Sequence, residues 1–300
     1  MNPLQENFMS PCTLCPRRCG VDRRAGQVGV CGMTEELRIA RIAPHMWEEP
    51  PISGNRGSGT VFFSGCCLRC IFCQNRVISR EGLGRAFTEA ELESAILTLR
   101  DGGVHNINFV TPTHYAPSII AATRIARENG LTVPIVYNTS SYDTVETIRS
   151  LDGTVDIYLA DYKYTLPRTA AAYSHAENYP DVARAAIAEM VKQKGCAVIE
   201  GGIMKSGVIV RVLLLPGHVA EAKLCVKYLY ESYGDTVYIS LMSQYTPMPG
   251  MPAPLDRPVT QAEYDELVDY AVKKGVTNAF IQDGTSAKES FIPPFDNTGV

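Results

Sequence analysis

The sequence predicts an α/β chain: a partial, TIM-like (β/α)6 barrel preceded by a small Cys-rich N-terminal metal-binding module. Two observations predict it. From Thr60 onward strand and helix signals alternate, the pattern of a parallel sheet with crossover helices. Eight of the ten cysteines fall into two tight groups, one before the first of these units and one directly after its strand. Six units are two short of a closed eight-fold barrel, so a lateral opening suited to a bulky substrate is expected. Residues 1–58 are expected to form the Cys-rich module and a connecting segment, and residues 59–300 the barrel with a C-terminal tail.

The N-terminal group is Cys12-x2-Cys15-x3-Cys19-x11-Cys31, threaded with Pro16, Gly20, Gly26, Gly29 and Gly32. Four thiolates make a closed ligand set, and glycines let a short chain wrap closely around a metal. Zinc or an iron–sulfur cluster would satisfy them equally, and four free thiols is the plainer alternative. Residues 1–36 carry too few apolar side chains to fold without a metal. Arg17, Arg18, Arg23 and Arg24 are expected on a solvated charged face, with a phosphate or a partner as the other reading.

The barrel elements follow in order. Thr60-Val61-Phe62-Phe63 reads as a strand turned by Ser64-Gly65. Thr88, with Glu91 three residues on, caps a helix whose buried stripe is Leu92, Ala95, Ile96 and Leu99 and which Gly102 ends. Residues 106–110 are the second strand, and 117–129 a helix stopped by Gly130. Residues 133–137 are the third strand, 144–151 a short helix, 156–161 the fourth strand and 179–194 a helix. The fifth strand is 208–215, followed by a helix over 219–233 that ends at Gly234. The sixth strand is 237–242. After it come a Pro-rich loop, a helix capped by Thr260 with Glu263 and ended by Gly275, and a last short strand over 279–282.

Composition sets the class. A chain of 300 residues, 45% hydrophobic and 20% charged, can bury one barrel-sized core plus an appendage. A net charge of −4 argues against a general nucleic-acid surface. No segment approaches 18 uninterrupted apolar residues, and the start Met-Asn-Pro-Leu-Gln-Glu-Asn lacks a signal peptide's basic and apolar regions. Clustered cysteines read as ligands in a reducing compartment rather than as a disulfide framework. A soluble, cytoplasmic protein without a membrane or nucleic-acid partner is expected.

The second group, Gly-Cys-Cys-Leu-Arg-Cys-Ile-Phe-Cys-Gln-Asn (65–75), holds the chemistry. Cys66, Cys70 and Cys73 form a C-x3-C-x2-C triplet, three thiolates where a closed site wants four. A 4Fe–4S cluster held by three cysteines leaves one iron open to a substrate or cofactor. A C-x2-C-x2-C register through Cys67 is the alternative. Buried thiols or a zinc site are blander readings, although four cysteines within eight residues exceed what packing explains.

Polar residues interrupt the apolar pattern where strands end, which locates the site a second time. They are Thr111-Pro112-Thr113-His114, Asn138-Thr139-Ser140-Ser141, Asp161-Tyr162-Lys163 and Ser243-Gln244-Tyr245. Arg211 stands inside an apolar strand and needs a partner, since burying it unpaired costs several kcal/mol. A structural salt bridge to a neighbouring strand's acid would satisfy it. His114 is the candidate for proton transfer, with His218 behind it, although a loop His is more often only hydrogen-bonded. Tyr115, Tyr162 and Tyr245 could relay a hydrogen atom or line a channel, and packing is the plainer role for each.

The triplet resembles that of the radical S-adenosylmethionine (SAM) superfamily. The stretches 12–23, 47–54, 57–66, 73–75, 110–115, 244–247 and 295–300 sharpen this to the pyruvate formate-lyase activating enzyme-like branch and its PflX-type proteins. The resemblance implies a radical SAM barrel with a 4Fe–4S cluster on Cys66, Cys70 and Cys73. SAM would chelate the open iron through its amino and carboxylate groups, with Phe72 against the adenine. It carries over Asn138, Asp161, Lys163 and Arg211 as residues contacting SAM or close to it. The SAM carboxylate is then a second candidate partner for Arg211. Two departures stand out. Activating enzymes place a Gly-Gly-Glu run where this chain has Thr111-Pro112-Thr113, which offers only hydroxyl and carbonyl acceptors. Relatives also often have His where Val212 stands.

The implied activity is reductive cleavage of SAM to methionine and a 5′-deoxyadenosyl radical, which abstracts hydrogen from a substrate, with a flavodoxin- or ferredoxin-type electron donor. The branch points to a protein substrate such as a glycyl-radical enzyme. A small metabolite is the runner-up. A non-catalytic Fe–S or zinc-binding adaptor is the reading from another class, which four-Cys ligation at both sites would favour.

Overall fold

The structure, a computed structural model, describes residues 10–282 and 293–300. The first nine residues and 283–292, which the sequence reading assigns to the N-terminal module and the C-terminal tail, lie outside the described residues.

Ten strands form the sheet: β1 (Leu37–His45), β2 (Ser58–Phe63), β3 (Arg85–Phe87), β4 (Ile107–Val110), β5 (Ile135–Thr139), β6 (Ile157–Asp161), β7 (Val198–Glu200), β8 (Ile203–Leu213), β9 (Tyr238–Met242) and β10 (Ala279–Ile281). Their order is β10-β9-β8-β6-β5-β4-β2-β1-β3, with β7 paired to β8 off this path. From β2 to β10 the neighbours on the main path run parallel. This is the expected run of six main strands and a short last one. Among the described residues its two edges are not hydrogen-bonded to each other, so the barrel they form is partial.

The helices are α1 (Pro50–Ser53), α2 (Arg76–Ser79), α3 (Glu89–Asp101), α4 (Ala116–Glu128), α5 (Val145–Ser150), α6 (Pro167–Ser174), α7 (Tyr179–Lys194), α8 (Val219–Tyr233) and α9 (Gln261–Lys274). Alternation sets which strand residues face them. Phe63, Phe109, Tyr137, Tyr158 and Val210 pack with the helix residues Leu92, Ile96, Ile119 and Ile187 in the main core. Residues of the other parity face the lumen. At its lower end Val136, Ile157, Leu159, Met204 and Ile209 pack around Ile52 of α1, which plugs the barrel.

The sequence reading missed β1, β3, β7, α1, α2 and α6. The connecting segment is largely β1, which runs antiparallel to β2 and carries β3 on its outer side. The tail lies on β1: Ile42 N–H donates to Thr298 O at 3.0 Å, and the Phe295 ring meets Phe62 at 5.5 Å.

The basic residues of the N-terminal module correct an expectation. Arg23 is 1% exposed and donates to Thr34 O and, at 2.6 Å, to His114 O, with its guanidinium over the Tyr115 ring. Arg17 donates to Cys67 O at 2.9 Å, to Leu68 O at 3.2 Å and to Ser174 O at 3.0 Å, and also to His175 O. Only Arg18 and Arg24 are exposed. Arg17 satisfies backbone carbonyls of the barrel, and Arg23 those of Thr34 and His114, instead of forming a solvated face.

Candidate active site

β2 ends in the loop that carries the triplet. Gly65 turns it with φ +83°, and a Cβ there would lie 2.4 Å from Met33 Cγ and 2.9 Å from Cys31 O, so only glycine fits. Cys66 N–H donates to Cys31 O at 3.2 Å and Ile71 N–H to Tyr173 O at 2.8 Å. The loop is thus held from the N-terminal module on one side and from α6 on the other.

Cys66, Cys70 and Cys73 line one cavity of about 270 Å³ at the C-terminal ends of the parallel strands. Phe72, Thr111, Thr113, Asn138, Asp161, Lys163 and Arg211 line the same cavity. Ser174 Oγ donates to Cys70 Sγ at 3.0 Å, and Ser79 Oγ to Cys73 Sγ at 3.3 Å. Burial pushes the Cys66 thiol up to about 11 and the Cys70 thiol up to about 12. Such thiols stay neutral until a positive centre binds them. Cys67 borders the same cavity, but its Sγ is engaged elsewhere, by Tyr142 O at 3.7 Å and the thiol of Cys15.

Opposite the triplet lies a charged array built by strand register. Asp161 and Arg211 are direct partners across β6 and β8, and Arg211 Nε donates to Asp161 Oδ1 at 2.7 Å. Lys163, two residues on and therefore on the same face, places Nζ 2.6 Å from Asp161 Oδ2. Arg211 Nη2 donates to Asn138 Oδ1 at 2.6 Å. Burial opposes the charge on Asp161, but the Arg211 and Lys163 cations prevail and hold its carboxyl below the ordinary range. Burial likewise opposes the Lys163 charge, and Asp161 overcomes it. Of the two partners considered for Arg211, the neighbouring strand's acid is in place.

Glu48 completes the array, and sequence reasoning gave it no role. It precedes the plug helix α1, which carries it into the lumen. Its Oε1 accepts from Asn108 at 3.0 Å and Asn138 at 3.2 Å, and its Oε2 from Arg211 Nη1 at 3.4 Å. Burial pushes its carboxyl up. The one signal in the sequence was an acidic pair, Glu48-Glu49, directly before Pro50-Pro51.

Thr111 holds φ +58°, a strained conformation for a β-branched residue and one that gathers at functional sites. Phe72 is buried, edge-on to Tyr245 at 6.0 Å and to Tyr173 at 6.4 Å. His114 is not on the cavity wall. It lies beneath the loop, 2% exposed, with Nε2–H donating to Ser64 O at 2.7 Å and Nδ1 buried without a partner. Burial and the nearby Arg23 push its pKa down to about 3. His218 pairs with Tyr173 Oη at 2.9 Å, away from this wall. Tyr115 and Tyr162 are buried and bonded to Glu36 O and Arg184 respectively, whereas Tyr245 lines the cavity.

In the N-terminal module Cys12, Cys15 and Cys31 are buried. The Cys31 and Cys19 sulfurs both face Gly29, where a Cβ would meet them at 3.3 and 3.4 Å. Among the described residues no three His, Cys, Asp or Glu side chains close as a single ion's shell would. Among them, too, no helix is long and apolar enough to cross a membrane.

The family model of the Radical SAM superfamily matches residues 60–218, just over half of the chain. The chain belongs to the radical SAM superfamily. It is 28% identical over 256 residues to the uncharacterized protein MJ0674 of Methanocaldococcus jannaschii, covering 81% of this chain and 68% of that one. Among solved structures it is similar to methylornithine synthase (PylB), with a TM-score of 0.51 and 15% identity over 72% of this chain. The chain spans 62% of that structure's length, and the likeness is one of fold.

Radical SAM proteins use a 4Fe–4S cluster and SAM. The residues present fit both. Three thiols share one cavity, two of them accept hydroxyl hydrogen bonds of the kind that tune cluster sulfurs, and a polar array of both charge signs faces them.

Proposed function

We propose that this chain is a radical SAM enzyme in which Cys66, Cys70 and Cys73 hold the 4Fe–4S cluster. Held there and reduced by a flavodoxin- or ferredoxin-type donor, the cluster would supply the one electron needed for reductive cleavage of SAM to methionine and a 5′-deoxyadenosyl radical able to take a hydrogen atom from the substrate. The observation that carries this reading is the convergence of the three thiols with Asn138, Asp161, Lys163 and Arg211 on one cavity at the C-terminal face of the sheet, where barrel enzymes keep their chemistry.

The chain's residues orient the reactants and exclude water. Lys163 and Arg211 present cationic edges to the carboxylate of SAM, and Asp161, anchored by both, presents its oxygens to the ribose. Phe72 offers an apolar face to the adenine, and Thr111 and Thr113 line the wall with Asn138. Residues 1–58 serve as a module that supports the loop, and for Cys12, Cys15, Cys19 and Cys31 to bind zinc or a second cluster their thiols would have to draw together from the arrangement described above. The branch resemblance supports a protein substrate, such as a glycyl-radical enzyme, reached through the open side of the barrel.

Anaerobic reconstitution followed by reduction in the presence of SAM tests the reading, with 5′-deoxyadenosine as the product measured. Cys66→Ala, Cys70→Ala and Cys73→Ala should each abolish it, whereas Cys67→Ala, whose thiol faces Cys15, should keep most of it. Equal loss in the Cys66 and Cys67 variants would sink this ligand assignment.

A further inference from the structure

The three ligand sulfurs do not receive the same hydrogen bonds. Cys66 takes backbone N–H donors, from Leu68 and Arg69. Cys73 takes the Ser79 hydroxyl at 3.3 Å, and Cys70 that of Ser174 at 3.0 Å. Behind Ser174 stands a second hydroxyl, with Tyr164 Oη 2.8 Å from Ser174 Oγ. Both side chains are fully buried. Tyr164 follows Lys163 in the loop after β6 and Ser174 ends α6, so one short stretch of chain delivers a cavity-lining cation and both hydroxyls.

Proton counting fixes the direction of this chain. Each hydroxyl carries a single proton. A cysteine that ligates a metal is a thiolate and can only accept, so Ser174 gives its proton to Cys70 Sγ and Tyr164 O–H donates to Ser174 Oγ. The two bonds then run head to tail, each polarising the next, and burial keeps them unscreened. We propose that Tyr164 and Ser174 form a hydroxyl relay that raises the reduction potential of the cluster through Cys70 Sγ. The inference rests on the radical SAM reading and its ligand assignment. One-electron reduction increases the negative charge on the cysteine sulfurs, so a donor fixed on one of them holds the reduced state more tightly than the oxidised one. Both are positioning residues, acting through Cys70.

The test is a potentiometric titration of the reconstituted cluster in the absence of SAM, followed by electron paramagnetic resonance. Ser174→Ala should lower the reduced-to-oxidised ratio at a fixed potential about tenfold, a shift of about 59 mV for one electron. Tyr164→Phe, which removes one oxygen and keeps the ring against Tyr179, should lower the ratio about threefold. Added to Ser174→Ala it should do nothing further, because the relay is already cut. Ser174→Thr, which restores a hydroxyl, should return the potential towards that of the parent. Buried hydroxyls that only satisfy one another would leave the potential where it is, so unchanged values in Ser174→Ala and Tyr164→Phe would overturn the relay. A Tyr164→Phe shift of the same size with and without the Ser174 hydroxyl would overturn it too. If Ser174→Ala takes up no cluster, Tyr164→Phe decides alone, and no shift there overturns the relay. A parent protein that takes up no 4Fe–4S cluster would overturn the ligand assignment and the relay with it. Because the potential is read without SAM, failure of SAM cleavage would strike the radical SAM reading while these shifts still decide the relay.

Discussion

Asp161 is one carboxylate serving two cations. With Arg211 at 2.7 Å and Lys163 at 2.6 Å, Asp161→Asn would leave two poorly solvated charges facing each other. Removing one partner of a buried ion pair costs about 3 kcal/mol or more. The variant is therefore expected to lose stability in urea titration and SAM affinity in equilibrium binding, with cluster iron unchanged. His114 gives a different signal at the same scale. Its folded-state pKa, about 3, lies below the ordinary 6.5, so the unfolded chain binds the extra proton. The stability this group contributes is whole above 6.5 and is lost as pH falls from there towards 3. The fall in urea midpoint between pH 7 and pH 5 should be shallower in His114→Gln than in the parent. Parallel slopes would show that His114 is not the group titrating. The Asp161–Lys163 pair was legible in the sequence because i and i+2 share a strand face. Glu48 was not, because its place depends on α1 entering the lumen, which no local period announces.

Elements were legible where their signals are local. The capping box at Thr88 and Glu91 is present as read, with Glu91 N–H donating to Thr88 Oγ1 at 3.1 Å and Thr88 N–H to Glu91 Oε2 at 2.8 Å. The box at Thr260 and Glu263 is present too, but here Glu263 also accepts from Gly217 N–H at 2.7 Å and pairs with Arg257 at 2.7 Å. Thr260→Ala should cost about 1 kcal/mol, as helix caps do. Glu263→Ala should cost more, about 2 kcal/mol, since it frees a loop and an arginine as well. Denaturant titration of the two variants checks the order, and a larger cost for Thr260→Ala would contradict it. β1 escaped the reading because it lies outside the β/α alternation and contains Pro44, which counts against a strand. Its buried positions, Leu37, Ile39, Ala40 and Ile42, are set by pairing with β2, a contact distant in sequence.

The whole molecule joins what the sequence divides. The module and the barrel read as separate because their compositions differ, yet Arg17 spans them: its guanidinium donates to carbonyls of two barrel segments, Cys67 and Leu68 in the cluster loop and Ser174 at the end of α6. Ser174 in turn donates to Cys70 Sγ at 3.0 Å. Arg17 thus ties the N-terminal module to a loop and helix that the Ile71–Tyr173 and Ser174–Cys70 hydrogen bonds already join. Arg17→Met keeps an unbranched apolar stem and removes the donors, leaving those carbonyls short of partners. The expected result is a reconstituted cluster that loses iron to a chelator several-fold faster than in the parent. Arg24→Met, at an exposed position of the same module, should leave the rate unchanged. Were the two variants to lose iron at the same rate as the parent, the contacts of Arg17 would not be what holds the cluster loop, and the module's part would rest on the Cys66–Cys31 and Arg23–His114 hydrogen bonds.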